Sequence, residues 1–147
     1  YSGLGEMLAI SGGRVLTAID LSHNLLILCF ISVVMLANLL VGSASAKYAF
    51  FAPVFVPMFM QIGITPELTQ AAYRVGDSIT NVITPLNPYM IIVLALVQRY
   101  YSTAGLGTVV AMMLPYSIAF AVAWCLVLMI WMGIGVALGP GGSLVMP

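Results

Sequence analysis

Residues 108–138 contain no Asp, Glu, Lys or Arg and are apolar almost throughout. At about 1.5 Å of rise per residue, such a run makes a helix longer than the roughly 30 Å of hydrocarbon in a bilayer. A helix that is apolar on every side has no face for water and needs lipid or other apolar helices around it. Tilt, or a kink at Pro115, fits the excess length to one crossing. A second uncharged run, residues 24–41, makes about 27 Å of helix, enough to span. With 63% hydrophobic and 5% charged residues, the chain is far from the roughly 25% charge of soluble domains. It reads as an all-α integral membrane protein that crosses the bilayer more than once.

Charge is too sparse to make a binding patch. Four Lys/Arg balance four Asp/Glu, and single, scattered basic residues offer nothing to nucleic acid or anionic lipid. Basic residues are also too few to orient the segments. Cys29 and Cys125 each lie inside an apolar run without metal-ligand spacing and read as small buried hydrophobes. There is no Gly-x-Ser-x-Gly turn, phosphate-binding glycine loop, dinucleotide fingerprint or His/Cys pair at metal spacing. The chain is therefore not expected to be an enzyme or to hold a cofactor.

Six stretches follow in order. Residues 1–22 mix glycines with Glu6, Arg14 and Asp20; Leu4, Met7, Leu8 and Val15, Leu16, Ile19 give two short amphipathic turns, an interfacial connector. The chain opens at Tyr1, in what reads as the middle of something, and is expected to be part of a longer protein. Residues 23–64 hold the first span, with Ser22 ahead of it as a cap and His23 as a polar residue at the membrane edge rather than a proton carrier. Asn38 stands near the end of that span as an amide in apolar surroundings. The small-residue run Gly42-Ser43-Ala44-Ser45-Ala46 then leads through Lys47 and Tyr48 into a returning arm, residues 49–62, which Pro53 and Pro57 are expected to kink. The region reads as two spans or as a span joined to a re-entrant hairpin whose tip can approach a ligand closely. Residues 65–99 form a polar, Pro-broken helix, 100–107 a loop, 108–139 the long span and 140–147 a tail. Trp124 and Trp131, two turns apart on one face of the long span, suit belt anchors or core packing, and Gly133 and Gly135 close packing or the helix end.

The polar helix carries the chemistry. Thr65 caps it, Pro66 fills its first position, and it is expected to run to Ile83, where Pro85 and Pro88 turn Thr84 and Asn87 from helical angles. Residues 88–98 then give only about 16 Å of helix, half a membrane. A helix that stops and restarts at membrane depth exposes carbonyls and N–H groups to ions and substrates. At 100° per residue Gln70, Arg74, Asp77 and Asn81 share a sector of roughly 60°. Three readings stand: an interfacial helix with its polar face in water, a buried Arg74–Asp77 pair that only fixes packing, or a polar cavity. In the last, Arg74 meets an anionic substrate or structural partner, Asp77 takes a coupling cation or proton, and Asn81 and Asn87 are neutral oxygen donors. Lys47 either snorkels to the headgroups or draws an anion to the hairpin tip beside Ser43 and Ser45.

The strings GSASAKYAFFAPVFVPMF and PELTQAAYRVGDSITNVITPLNPY, continued by QRY, AGLGT, MLPYSIAFAVAW and LGPG, resemble the p-aminobenzoyl-glutamate transporter (AbgT) family over nearly the whole chain. The resemblance covers only about the C-terminal third of such a transporter. It implies one half of an inverted-repeat secondary transporter, dimeric in a bacterial inner membrane, with two re-entrant hairpins in the whole protein. Its implied task is to move p-aminobenzoyl-glutamate or related aromatic carboxylates, or to export sulfonamides, driven by Na⁺ or H⁺. The functional residues it implies are Asn38, Ser45, Tyr48, Pro66, Arg74, Asp77 and Pro85. Added to the residues above, these give substrate contacts at Ser43, Ser45, Lys47, Tyr48, Arg74 and Asn87. The coupling ion falls to Asn38, Asp77 and Asn81, with Na⁺ on Asn38 and Asp77 as the one metal expected, and helix breaks fall at Pro66, Pro85 and Pro88. Tyr48 stands where the family commonly has Trp, keeping a ring for stacking but adding a hydroxyl. The competing class is a non-transporting assembly or anchoring subunit, and the chain by itself is not expected to transport.

Overall fold

The computed structural model describes residues 3, 7, 10–14, 22–139 and 142. The expected amphipathic turns of the connector and nearly all of the tail lie outside them. Among the described residues there are helices and no strand: after a helical stretch at 10–14 come α1 (His23–Leu40), α2 (Ala44–Met60), α3 (Pro66–Thr80), α4 (Tyr89–Gln98) and α5 (Leu106–Ile134). Two of them, α1 and α5, are long and apolar enough to cross a membrane.

Local chemistry sets each boundary. Ser22 stands at the N-cap of α1, but its side chain makes no capping bond. His23 instead ties down that end, its Nε2–H donating to the Ile62 carbonyl over 2.8 Å. The small-residue run is mostly helix rather than a loop-like tip. Ser43 Oγ accepts from Ala46 N–H, so α2 begins at Ala44 and the turn shrinks to residues 41–43. Pro53 and Pro57 lie inside α2, which continues through both to Met60. Its end turns on Gly63 at φ 83°, with Ile64 N–H bonded back to the Phe59 carbonyl, a left-handed cap that favours glycine.

The polar helix ends at Thr80 rather than Ile83. Pro85 has no N–H for the Asn81 carbonyl and its ring crowds that position, so the helical ladder stops there. Asn87 Nδ2 donates to the Asn81 carbonyl (3.0 Å), Ile83 and Thr84 N–H donate to Thr80, and Ser117 Oγ of α5 donates to Ile79 (2.8 Å). The break expected at residues 84–88 thus spans 81–88 and satisfies these carbonyls by itself and through α5. The long helix ends at Ile134, five residues before the expected boundary at 139, with Gly135 at φ 75° as its cap.

α1 and α3 run parallel. Val34 meets Gly76, Met35 meets Thr80 and Asn38 meets Thr84, so the contacts advance together along both helices. Their axes come close because Gly76 has no side chain: a Cβ there would stand 2.8 Å from the Ile31 carbonyl oxygen. α2 runs antiparallel to both, and its Phe51, Phe55 and Phe59 cluster around Phe30 of α1. α5 runs antiparallel to α3, with Ser117 at Ile79 and Trp124 and Trp131 beside Val75 and Ala71. The rest of α5 stays apolar and exposed, including Leu114, Ile118 and Ile130. Such a surface requires lipid or more protein against it.

Candidate functional site

The site grows from one amide. Asn38, in the last turn of α1, is 0% exposed, so each of its polar atoms needs a partner. Nδ2 donates to the Asp77 carbonyl and to Thr80 Oγ1, both at 2.9 Å. Oδ1 accepts from Lys47 Nζ, and the Asn38 carbonyl accepts from Thr84 Oγ1 at 3.1 Å. Through its side-chain amide and its main-chain carbonyl, Asn38 therefore holds α1, α2, α3 and the break in one register.

Lys47 lies one turn into α2, and the turn at Ser43 aims it inward. Its ammonium sits 2.5 Å from Asp77 Oδ1, and the two residues are 2% and 6% exposed. A buried Lys needs a carboxylate within reach, and Asp77 is that carboxylate. Lys47 thus neither snorkels to headgroups nor stands at the tip. Arg74, about 60° round α3 from Asp77, is exposed and does not form the i, i+3 pair with it. The carboxylate, amide, hydroxyl and main-chain oxygens collected here are the hard donors that alkali and alkaline-earth cations take.

Around this network lie rings and the break. Tyr48 and Tyr73 face each other with ring centroids 4.9 Å apart, and Tyr73 OH donates to the Ala44 carbonyl at 2.6 Å. At the turn, Gly42 packs on the break: a Cβ there would stand 2.8 Å from the Leu86 carbonyl oxygen. Ser43 and Ser45 are exposed beside it.

The expected residues thus divide. Asn38, Lys47 and Asp77 meet directly, with Tyr48 beside them. Asn81 is exposed, and Asn87 is bonded to it rather than to the network, while its Oδ1 accepts from Tyr89 N–H at the start of α4. Pro66 begins α3, and Pro85 and Pro88 are exposed in the break. Arg74 lines a separate cavity of about 400 Å³ with Glu67, Gln70, Ala71, Leu138, Gly139 and Gly142. Thr80, Thr84 and Tyr73 complete the buried network and were not picked out from the sequence. Their signal was the face of α3 adjoining Asp77, where Thr69, Tyr73, Gly76 and Thr80 recur at three- and four-residue spacing.

The sequence model of the AbgT putative transporter family matches residues 1–146. The chain is 35% identical over 144 residues to the p-aminobenzoyl-glutamate transport protein of Escherichia coli, covering 96% of this chain and 28% of that protein. The YdaH transporter of Alcanivorax borkumensis superposes with a TM-score of 0.88 at 50% identity, over 93% of this chain and 29% of that one. MtrF of Neisseria gonorrhoeae, described among antimetabolite efflux pumps, gives 0.80 at 45% identity, over 87% and 25%. The chain spans less than a third of each of these relatives.

Proposed function

Because the chain belongs to the AbgT family of transporters, we propose that it forms the C-terminal portion of a secondary transporter and supplies half of a site for an aromatic carboxylate and its coupling ion. The observation that carries this reading is the buried Lys47–Asp77 pair beneath a helix break. Charges within apolar helices are expensive, and in transporters they mark ion and substrate paths. The α1–α2 pair is then the re-entrant hairpin of one inverted repeat, and α3, the 81–88 break and α4 are its discontinuous helix. Asp77 and Asn38, with Asn81 nearby, take the coupling Na⁺ or H⁺. Ser43, Ser45, Lys47, Tyr48 and Asn87 line the substrate's approach from the turn, and Arg74 meets its carboxylate from the neighbouring cavity. Pro66, Pro85 and Pro88 fix the helix ends that move. The whole protein works as a multi-pass homodimer in a bacterial inner membrane. Its relatives' names favour p-aminobenzoyl-glutamate or an antimetabolite as substrate; an anchoring role finds no observation in its favour.

The test is uptake of labelled p-aminobenzoyl-glutamate by the full-length protein in proteoliposomes, with Na⁺ and pH gradients imposed separately. Accumulation driven by one of the two gradients is expected. Flux that ignores both, or no flux of this substrate or of a sulfonamide, contradicts the reading.

A further inference from the structure

The Lys47 ammonium occupies the place that a coupling cation would take. Nζ lies 2.5 Å from Asp77 Oδ1 and is bonded to Asn38 Oδ1, the two oxygens that the proposed function gives to the cation. We propose that Lys47 is a tethered cation that competes with the free coupling cation for Asp77, and that once displaced it lends its charge to the substrate carboxylate. This rests on the reading of the chain as part of a carboxylate transporter.

The competition is electrostatic. With the pair closed, the buried network is neutral. A metal cation placed on Asp77 leaves one uncompensated positive charge in apolar surroundings, where such a charge is strongly disfavoured. One carboxylate near Lys47 restores neutrality. Cation and carboxylate therefore each make the other's binding easier, and by linkage the effect is mutual. Lys suits this task because its ammonium is a compact charge on a flexible four-carbon stem, able to move while α2 stays in place. Its surroundings also fit an aromatic anion: Tyr48 follows it directly, and the Tyr48 ring rests against Tyr73 beside the same carboxylate. Arg74 is not the competitor for Asp77 in the structure, since Asp77 is paired with Lys47 and Arg74 lines the other cavity.

The experiment measures binding rather than flux. Labelled Na⁺ and labelled p-aminobenzoyl-glutamate are titrated separately and together onto the purified full-length protein. In the wild type, saturating Na⁺ is expected to tighten substrate binding about tenfold, within the usual range of coupling. Lys47→Gln is expected to bind Na⁺ at least about tenfold more tightly, to gain more thermal stability from Na⁺ than the wild type does, and to lose the Na⁺ dependence of substrate binding. Lys47→Arg keeps the charge and holds the carboxylate more firmly, so it should weaken Na⁺ binding; this arm decides the matter if Lys47→Gln does not fold. Unchanged Na⁺ affinity in both variants, or no Na⁺ binding to any of the three proteins, overturns the competition. Gradient-driven uptake by the wild type alongside either result would leave the transport reading standing, whereas absent uptake would remove that reading itself.

Discussion

Lys47→Met alone is expected to destabilise the full-length protein by about 3–5 kcal/mol, whereas Lys47→Met combined with Asp77→Asn recovers most of the loss. The single change leaves the Asp77 carboxylate buried with its cation gone, and deprives Asn38 Oδ1 of its donor. The double change removes both charges, and the new amide at position 77 supplies donors in place of the ammonium. Replacing a buried pair with neutral groups is often nearly neutral, while stranding one member is not. Thermal unfolding in detergent without Na⁺ should therefore rank wild type and double variant together, above Lys47→Met. A single variant that melts with the wild type would mean that water reaches Asp77.

Gly76→Leu should disrupt the α1–α3 crossing. Its Cβ alone would stand 2.8 Å from the Ile31 carbonyl and 2.9 Å from Val34 Cβ. The first is backbone inside a helix and cannot rotate away, so the helices must part. Overpacking of this kind typically costs about 1–3 kcal/mol, and the larger side chain puts this variant at the upper end. Asp77 is the next residue, and its carbonyl is held by Asn38 at 2.9 Å, so separation also pulls that bond apart. A lower melting temperature together with weaker substrate binding is expected. Gly76→Ala should show the same loss in smaller measure; wild-type melting of Gly76→Leu would contradict the close crossing.

Much of the architecture was legible in sequence because apolar runs and proline positions are strong constraints. The two long apolar helices, the cap at Thr65 and the interruption after α3 follow from them. The register of the turn was not, since Ala44 to Lys47 favour helix once Ser43 caps them, and only the cap decides where the turn closes. At the site, the members of the expected polar sector, Gln70, Arg74, Asp77 and Asn81, have different fates. Asp77 lies at the edge of the sector, roughly 20° from Gln70 on the side away from Arg74, and toward Tyr73 and Thr80. That edge turns into the α1 contact and is buried, while Gln70, Arg74 and Asn81 remain exposed. Periodicity within one helix brought Arg74 forward as the partner of Asp77. The partner that forms stands thirty residues away in sequence, and only packing of α2 against α3 brings it there. One signal was available: a lone Lys in an apolar helix demands a carboxylate, and among the described residues the buried one is Asp77.

If the Lys47–Asp77 pair links an ion gradient to substrate movement, gradient-driven uptake of p-aminobenzoyl-glutamate is lost in proteoliposomes holding the full-length Lys47→Met/Asp77→Asn variant, which is expected to fold. Loss of accumulation under both Na⁺ and pH gradients, at wild-type melting temperature, is the predicted result; accumulation at the wild-type level would contradict it.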